Sequence, residues 1–259
     1  MQFSLKKLGI EISTDQYIKK TKTKILTFGL KSKPAPFYLN GKELPIVESW
    51  MHLGHLIHQD GTSHHDMEDK RRVIVGRIHN LQQELGNQDP TVMFSLLRSY
   101  VFHLYGCPLW DISAKQSDKL WATWHRTIKL AYDLPIATHR YLLNDLVKFD
   151  HIKKSVIKRF LKFHETIKNS DLLHVKILQI AQSNDMRSTF GRNINHICQL
   201  AGSRTISDVN ISHIIINPVP PGSEWRIPLL INLLNDRLYG SDILTPEEIN
   251  TILVDICVN

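Results

Sequence analysis

Phe149-Asp-His-Ile-Lys-Lys-Ser-Val-Ile-Lys-Arg-Phe-Leu-Lys-Phe-His-Glu-Thr-Ile-Lys168 decides how the chain is read. Phe149, Ile152, Val156, Phe160, Phe163 and Ile167 recur at spacings of three and four, the period that lines one face of an α-helix. Lys148, Lys153, Lys154, Lys158, Arg159, Lys162 and Lys168 fall largely off that stripe. The same period extends on both sides. Met67, Ile74, Ile78, Leu81 and Leu85 predict a helix stopped by Gly86. Asp89-Pro90 opens another, with Met93, Leu97, Tyr100 and Leu104 as its apolar face. Ser113 or Ser117 can cap a helix carrying Leu120, Trp124, Ile128 and Ala131, which Pro135 ends. Ser170 caps the next, and Phe190, Ile194, Ile197 and Ala201 mark one more. Trp225 to Tyr239 reads as helical after Pro228. Thr245-Pro-Glu-Glu248 is a capping box that opens a last helix with Ile249, Ile252, Leu253 and Ile256.

The residues before Gly61 obey a different rule. Residues 1–9 read as a helix end. Ile25 to Phe28 reads as a strand, and Phe37-Tyr-Leu39 and Leu44 to Val47 flank Asn40-Gly41, a strong hairpin signal. Trp50, Leu53 and Leu56 follow in a further extended segment. The expectation is a mostly α chain with a small N-terminal antiparallel β element, an α+β class. Residues 1–61 form the β element, 62–202 a helical domain, 203–223 a linker with a strand-like Val209 to Ile216 stretch, and 224–259 a small C-terminal helical segment.

A length of 259 residues and a 42% hydrophobic composition are ample for a buried core. Cys107, Cys198 and Cys257 are odd in number and widely spaced, so neither a disulfide framework nor a Cys-x-x-Cys metal pair is expected. A reducing compartment, nucleus or cytoplasm, is the simpler reading. No apolar run has the length of a membrane span. The net charge of +7 is uneven. Residues 1–33 hold eight Lys against Glu11 and Asp15, and residues 115–168 hold twelve basic against five acidic residues. The stretches 34–114 and 169–259 each have six basic and nine acidic residues. Two basic blocks separated by acidic ones point to an anionic partner. The bland alternative is a solvated helix surface.

His52, His55, His58, His64 and His65 cluster in the sequence. In one continuous strand His52 and His58 share a face while His55 points to the other, and no cysteine is near. No metal ligand set is expected, and no cofactor or small-molecule substrate. The acidic pairs Glu68-Asp69 and Glu247-Glu248 lie at a charged helix start and in the capping box. Neither is flanked by apolar strands, so no catalytic residue is expected.

Several motifs in order carry a resemblance. Leu8-Gly-Ile-Glu-Ile-Ser13 precedes the run Lys20-Thr21-Lys22, with Lys24 beside the strand that follows. Trp50-Met-His-Leu-Gly54 is an aromatic-x-x-Leu-Gly element. Leu104-Tyr-Gly-Cys-Pro-Leu-Trp110 leads to Trp124-His-Arg126, Lys129 and Thr138-His-Arg140. This order resembles the part of non-LTR (LINE-type) retrotransposon reverse transcriptases that follows the catalytic palm, over about residues 5–170. The resemblance implies a palm edge, a primer grip around Trp50, His52 and Gly54, a helical thumb-like bundle and a C-terminal helical extension. The family has Tyr where this chain has His52. The Asp-Asp pair that binds metal in the family's palm is absent from this sequence. The chain is therefore expected to be a truncated, non-catalytic relative of an RNA-directed DNA polymerase. It would bind RNA or an RNA–DNA hybrid, without sequence preference, through Lys20, Lys22, Lys24, Arg126, Lys129, Arg140, Lys153, Lys154, Lys158, Arg159 and Lys162. Trp110, Trp121 and Trp124 can stack on bases, although core and corner packing is the commoner role at this spacing. A remnant without function and a helical protein-interaction module are the rival readings.

Overall fold

A computed structural model describes residues 23–29, 34–39, 41–85, 92, 95–102, 104–146, 150–239 and 244–258. The chain is mostly helical with a small β element, as its periodicity requires. It divides into two compact units, Met1–Asp66 and Met67–Asn259. No helix is long and apolar enough to cross a membrane among the described residues. The helix expected over residues 1–9, Leu8 to Ser13, Gly86, the Asp89-Pro90 start and Met93 lie outside the described residues.

In the first unit, β1 (Ile25–Leu26) pairs in parallel with β4 (Ile46–Val47). Between them, β2 (Phe37–Leu39) and β3 (Lys42–Leu44) form an antiparallel hairpin with Leu39 opposite Lys42. Gly41 supplies the positive φ, 73°, that a two-residue turn needs. The β element is thus not purely antiparallel. Pro45 ends the strand expected from Leu44 to Val47 by offering no N–H, though its carbonyl accepts from Ile25 N–H at 3.0 Å. The hairpin leaves and returns, so β4 comes back beside β1 in the same direction.

The segment from Trp50 to Leu56 is also not one extended strand. β5 (Ser49–His52) and β6 (His55–His58) pair antiparallel across a two-residue turn. Leu53 and Gly54 occupy that turn with φ of 48° and 79°, the signature of a type I′ hairpin. The reversal changes the faces. His52 lies opposite His55 and Ser49 opposite His58, so His52 and His55 share a face and His58 belongs to the other. Asp66 closes the unit: its carboxylate is buried and accepts from Leu56 N–H at 2.9 Å, with His55 Nδ1 at 3.3 Å.

The helices carry the core. Those bounded within the described residues are α1 (His64–Leu85), α2 (Ser117–Ala131), α3 (Leu143–Leu146), α4 (Ile152–Lys168), α5 (Leu173–Ser183), α6 (Thr189–Ala201), α7 (Arg226–Tyr239) and α8 (Pro246–Val258). Ile74, Leu97, Leu120, Trp124, Ile157, Phe160, Ile197, Leu230 and Leu253 belong to one buried cluster. Apolar burial on this scale dominates the stability of a helical unit. The helix expected through Tyr100 is a π-turn over Leu97–Val101. Its wider winding breaks the period of 3.6, so Tyr100 is exposed while Leu97, Phe102 and Leu104 are buried.

Neither Ser113 nor Ser117 caps α2. Ser117 is its first residue, and its buried hydroxyl donates to the Ala114 carbonyl at 2.7 Å. Leu172 is the N-cap residue of α5, with Ser170 accepting from its N–H at 3.3 Å. Thr245 and Glu248 form the reciprocal capping box of α8, at 2.8 and 3.3 Å. Residues 203–223 hold 3-10 turns at Ile206–Asp208 and Ile211–His213 where a strand was expected. They do not behave as a loose linker, because Ile214 is fully buried in the core.

Candidate nucleic-acid interface

α4 follows from its sequence with one shift. Its buried side chains are Ile152, Val156, Ile157, Phe160 and His164, with Phe163 and Ile167 half-buried. Lys148 and Phe149 lie outside the described residues. The helix begins at Ile152 because the His151 side chain accepts from Lys153 N–H at 3.0 Å and replaces a missing intrahelical acceptor.

The basic residues of α4 sort into two groups. Lys153 is half-buried, and burial holds its ammonium below the usual lysine range. Lys158 is exposed but pairs with Asp150, and Arg159 donates to the Leu104 carbonyl at 2.9 Å. Lys154, Lys162 and Lys168 make no salt bridge with a described residue; Lys162 and Lys168 are exposed and Lys154 is half-exposed. At the N-terminal end of α4 lies a pocket of about 380 Å³. Arg98, Lys158 and Arg159 line it, with Asp150 as the single carboxylate and Phe102 and Trp124 among its apolar walls. Three cations against one anion can hold a phosphate.

The other expected contacts separate in the structure. Arg126 on α2 and Arg140 after it are exposed. Lys129 is half-buried and donates to the carbonyl of exposed Ile136 at 2.5 Å, and burial followed by the Arg140 charge lowers its pKa. In the first unit Lys24 lies over the Trp50 ring, 4.1 Å from its centroid, a cation–π contact that orders both. His52 and Gly54 are exposed at the β5–β6 hairpin. Lys20 and Lys22 lie outside the described residues.

Trp110, Trp121 and Trp124 are buried, so none offers an open face for stacking on bases. Trp110 anchors a corner in which Gly106, at φ 79°, turns the chain into the Cys107–Leu109 3-10 turn. Burial pushes the Cys107 thiol up to about 12 and raises those of Cys198 and Cys257. None is an activated nucleophile. Glu68 is engaged by Arg71 at 2.7 Å, which draws its pKa down to about 2.

Sequence reasoning missed two arrangements. His125 and His151 meet in the core with their Nε2 atoms 3.1 Å apart, and Asn217 Nδ2 lies 3.0 Å from His125 Nε2. Since His151 Nδ1 accepts from Lys153, its proton sits on Nε2 and is donated to His125. His58, Asp60 and His65 form the second arrangement, which the face alternation of a continuous strand had concealed. A turn between β6 and α1 was the only available signal. Compared with known proteins, the chain matches no family model, no curated protein and no solved structure.

Proposed function

We propose that the chain is a reverse-transcriptase-like segment of the non-LTR (LINE-type) class, corresponding to primer grip, thumb and the part beyond, and that it binds RNA or an RNA–DNA hybrid without sequence preference. The motif order in the sequence supports the family reading. The observation that carries the binding reading is α4, whose buried stripe leaves Lys162 and Lys168 exposed and Lys154 half-exposed, on the helix whose N-terminal end adds the pocket of Arg98, Lys158 and Arg159. Phosphate contacts of this kind position a strand and carry no base code. On this reading the chain binds and does not polymerise, since two-metal nucleotidyl transfer needs closely held carboxylates. Glu68 is already committed to Arg71 and Glu248 to Thr245.

Fluorescence anisotropy with a short RNA–DNA hybrid across a salt series tests this. Log affinity is expected to fall linearly with log salt, by roughly 0.7 to 0.9 per phosphate contact. Replacing Lys154, Lys162 and Lys168 by Gln should weaken binding and flatten the slope by about two to three contacts. Unchanged affinity and slope would remove the support for the reading. One observation favours a helical protein-interaction module instead: Leu173, Ile177, Leu178 and Ile180 on α5 are all exposed. That alternative predicts no salt-sensitive affinity for the hybrid.

A further inference from the structure

The loop joining β6 to α1 gathers side chains that the nucleic-acid reading does not use. β6 ends at His58 and α1 starts at His64. Gly61, at φ 69°, turns the chain between them and donates its N–H to the His58 carbonyl at 2.9 Å. Asp60 Oδ1 accepts from Thr62 N–H at 2.8 Å and from the Thr62 hydroxyl at 3.0 Å, which fixes the carboxylate. The turn brings the His58 and His65 rings to a centroid separation of 3.7 Å, 24° from parallel. Asp60 stands between their nitrogens: Oδ1 is 3.1 Å from His58 Nδ1 and Oδ2 is 2.9 Å from His65 Nε2. One nitrogen of each imidazole and one oxygen of the carboxylate lie within 4.8 Å of one another.

We propose that His58, Asp60 and His65 form a transition-metal site whose preferred occupant is Zn²⁺. Zinc bonds of about 2.0–2.2 Å to nitrogen and oxygen place tetrahedral ligand atoms roughly 3.3 Å apart. Each nitrogen already lies near that length from one oxygen of Asp60, His58 from Oδ1 and His65 from Oδ2. To bind one ion, the carboxylate turns one oxygen towards both nitrogens and the stacked rings tilt until their in-plane lone pairs converge. Two nitrogens and one oxygen suit zinc and its late first-row neighbours, whereas Mg²⁺ and Ca²⁺ favour all-oxygen sets. Side-chain exposures of 20%, 41% and 37% for His58, Asp60 and His65 give an ion access and leave room for water on the remaining coordination positions. An ion there replaces the proton between His65 and Asp60, takes over the His58 Nδ1 lone pair that otherwise accepts from Asp60 N–H at 3.3 Å, and ties the end of β6 to the first turn of α1. His55 is not a ligand, because it faces the buried Asp66.

Isothermal titration of the full chain with Zn²⁺ is the test, with Mg²⁺ as the control ion. One Zn²⁺ is expected per chain, with saturable binding, and Mg²⁺ should give none. His58→Ala and His65→Ala should each weaken binding at least about tenfold. Asp60→Asn keeps the acceptor for Thr62 and should also weaken binding, whereas His52→Ala should not. A second measurement needs no variant. Paramagnetic Co²⁺ should broaden the imidazole resonances of His58 and His65 and spare those of His125 and His151. Absence of a saturable site, equal affinity in the His58 and His65 variants, or broadening centred on other histidines would overturn the proposal. The nucleic-acid reading is untouched by any of these outcomes, because it rests on α4.

Discussion

Asn193 shows what a single side chain decides. It is fully buried on α6, where its Nδ2 donates to the Trp110 carbonyl at 2.7 Å and its Oδ1 accepts from Ile112 N–H at 2.8 Å. Asp111, between those residues, accepts from Arg192 Nε at 3.0 Å. Asn193→Ala takes the side-chain partner from two backbone groups, each loss costing about 1–3 kcal/mol. The variant should lose about 2–6 kcal/mol in urea unfolding, while Ser188→Ala, which removes the α6 N-cap, should lose only about 1 kcal/mol. The His125 and His151 pair yields a pH dependence. Burial, then nearby Arg140 and Lys129, lowers His125 to about 4. Burial, then His125 and neighbouring lysines, lowers His151 to about 3. The unfolded chain therefore binds more protons below about pH 6.5, so stability is complete above that value and falls as pH drops towards 4 and 3. The melting temperature should decline between pH 7 and 5. Combining His125→Gln with His151→Asn, which can still cap α4, should flatten the decline without removing it, because His164 and His196 are lowered in the same direction. Neither Asn193 nor the histidine pair could be read from the sequence, because both join residues far apart along the chain.

Elements were legible where local period and burial agree. α4, α6 and α8 follow from spacing and caps because their apolar faces meet the core on a regular winding. The stretch around Tyr100 misled because a π-turn changes the winding without changing the composition. Leu53-Gly54 misled for another reason: a leucine at positive φ is costly and gives no turn signal. Cations behaved likewise. The period tells which residues leave the core face of α4, but not which ones meet a partner. Lys158 met Asp150 and Arg159 met the Leu104 carbonyl. This division makes the two groups separable by experiment. Arg159→Gln should lower stability by about 1–2 kcal/mol, since it removes a charged donor from a partly buried carbonyl. Lys154→Gln, Lys162→Gln and Lys168→Gln together should change stability by less than about 0.5 kcal/mol. Equal losses in both sets, measured by urea unfolding, would mean that the outward cations are also structural.

At the scale of the molecule, the two units differ in how they bury apolar surface. Every buried hydrophobic residue that the structure describes lies at or beyond Met67. Between Thr23 and Asp66 the described strands form three separate two-stranded ladders, and paired strands without a covered face are marginal in water. The division into strands and helices was visible in the change from hairpin signals to a period of 3.6. The imbalance in burial was not, because Ile25, Leu26, Ile46 and Val47 look like core residues until their exposure is known; all four are only half-buried. The first unit depends on its turns and on Asp66, whose carboxylate receives Leu56 N–H. Local opening there exposes little additional apolar surface and so costs little free energy. Native-state hydrogen exchange should show weak protection over β1 to β6. Protection should be strongest for α2 and the first three turns of α4, where Leu120, Trp124, Ile128, Val156 and Phe160 are buried. α5, with no buried residue, should resemble the first unit despite being helical. Equal protection across β1 to β6 and α2 would show that the strands open only with the whole chain. Loss of that protection in Asp66→Ala but not in Asp66→Asn would locate the closure at the Leu56 bond, since Asn retains an acceptor and Ala does not.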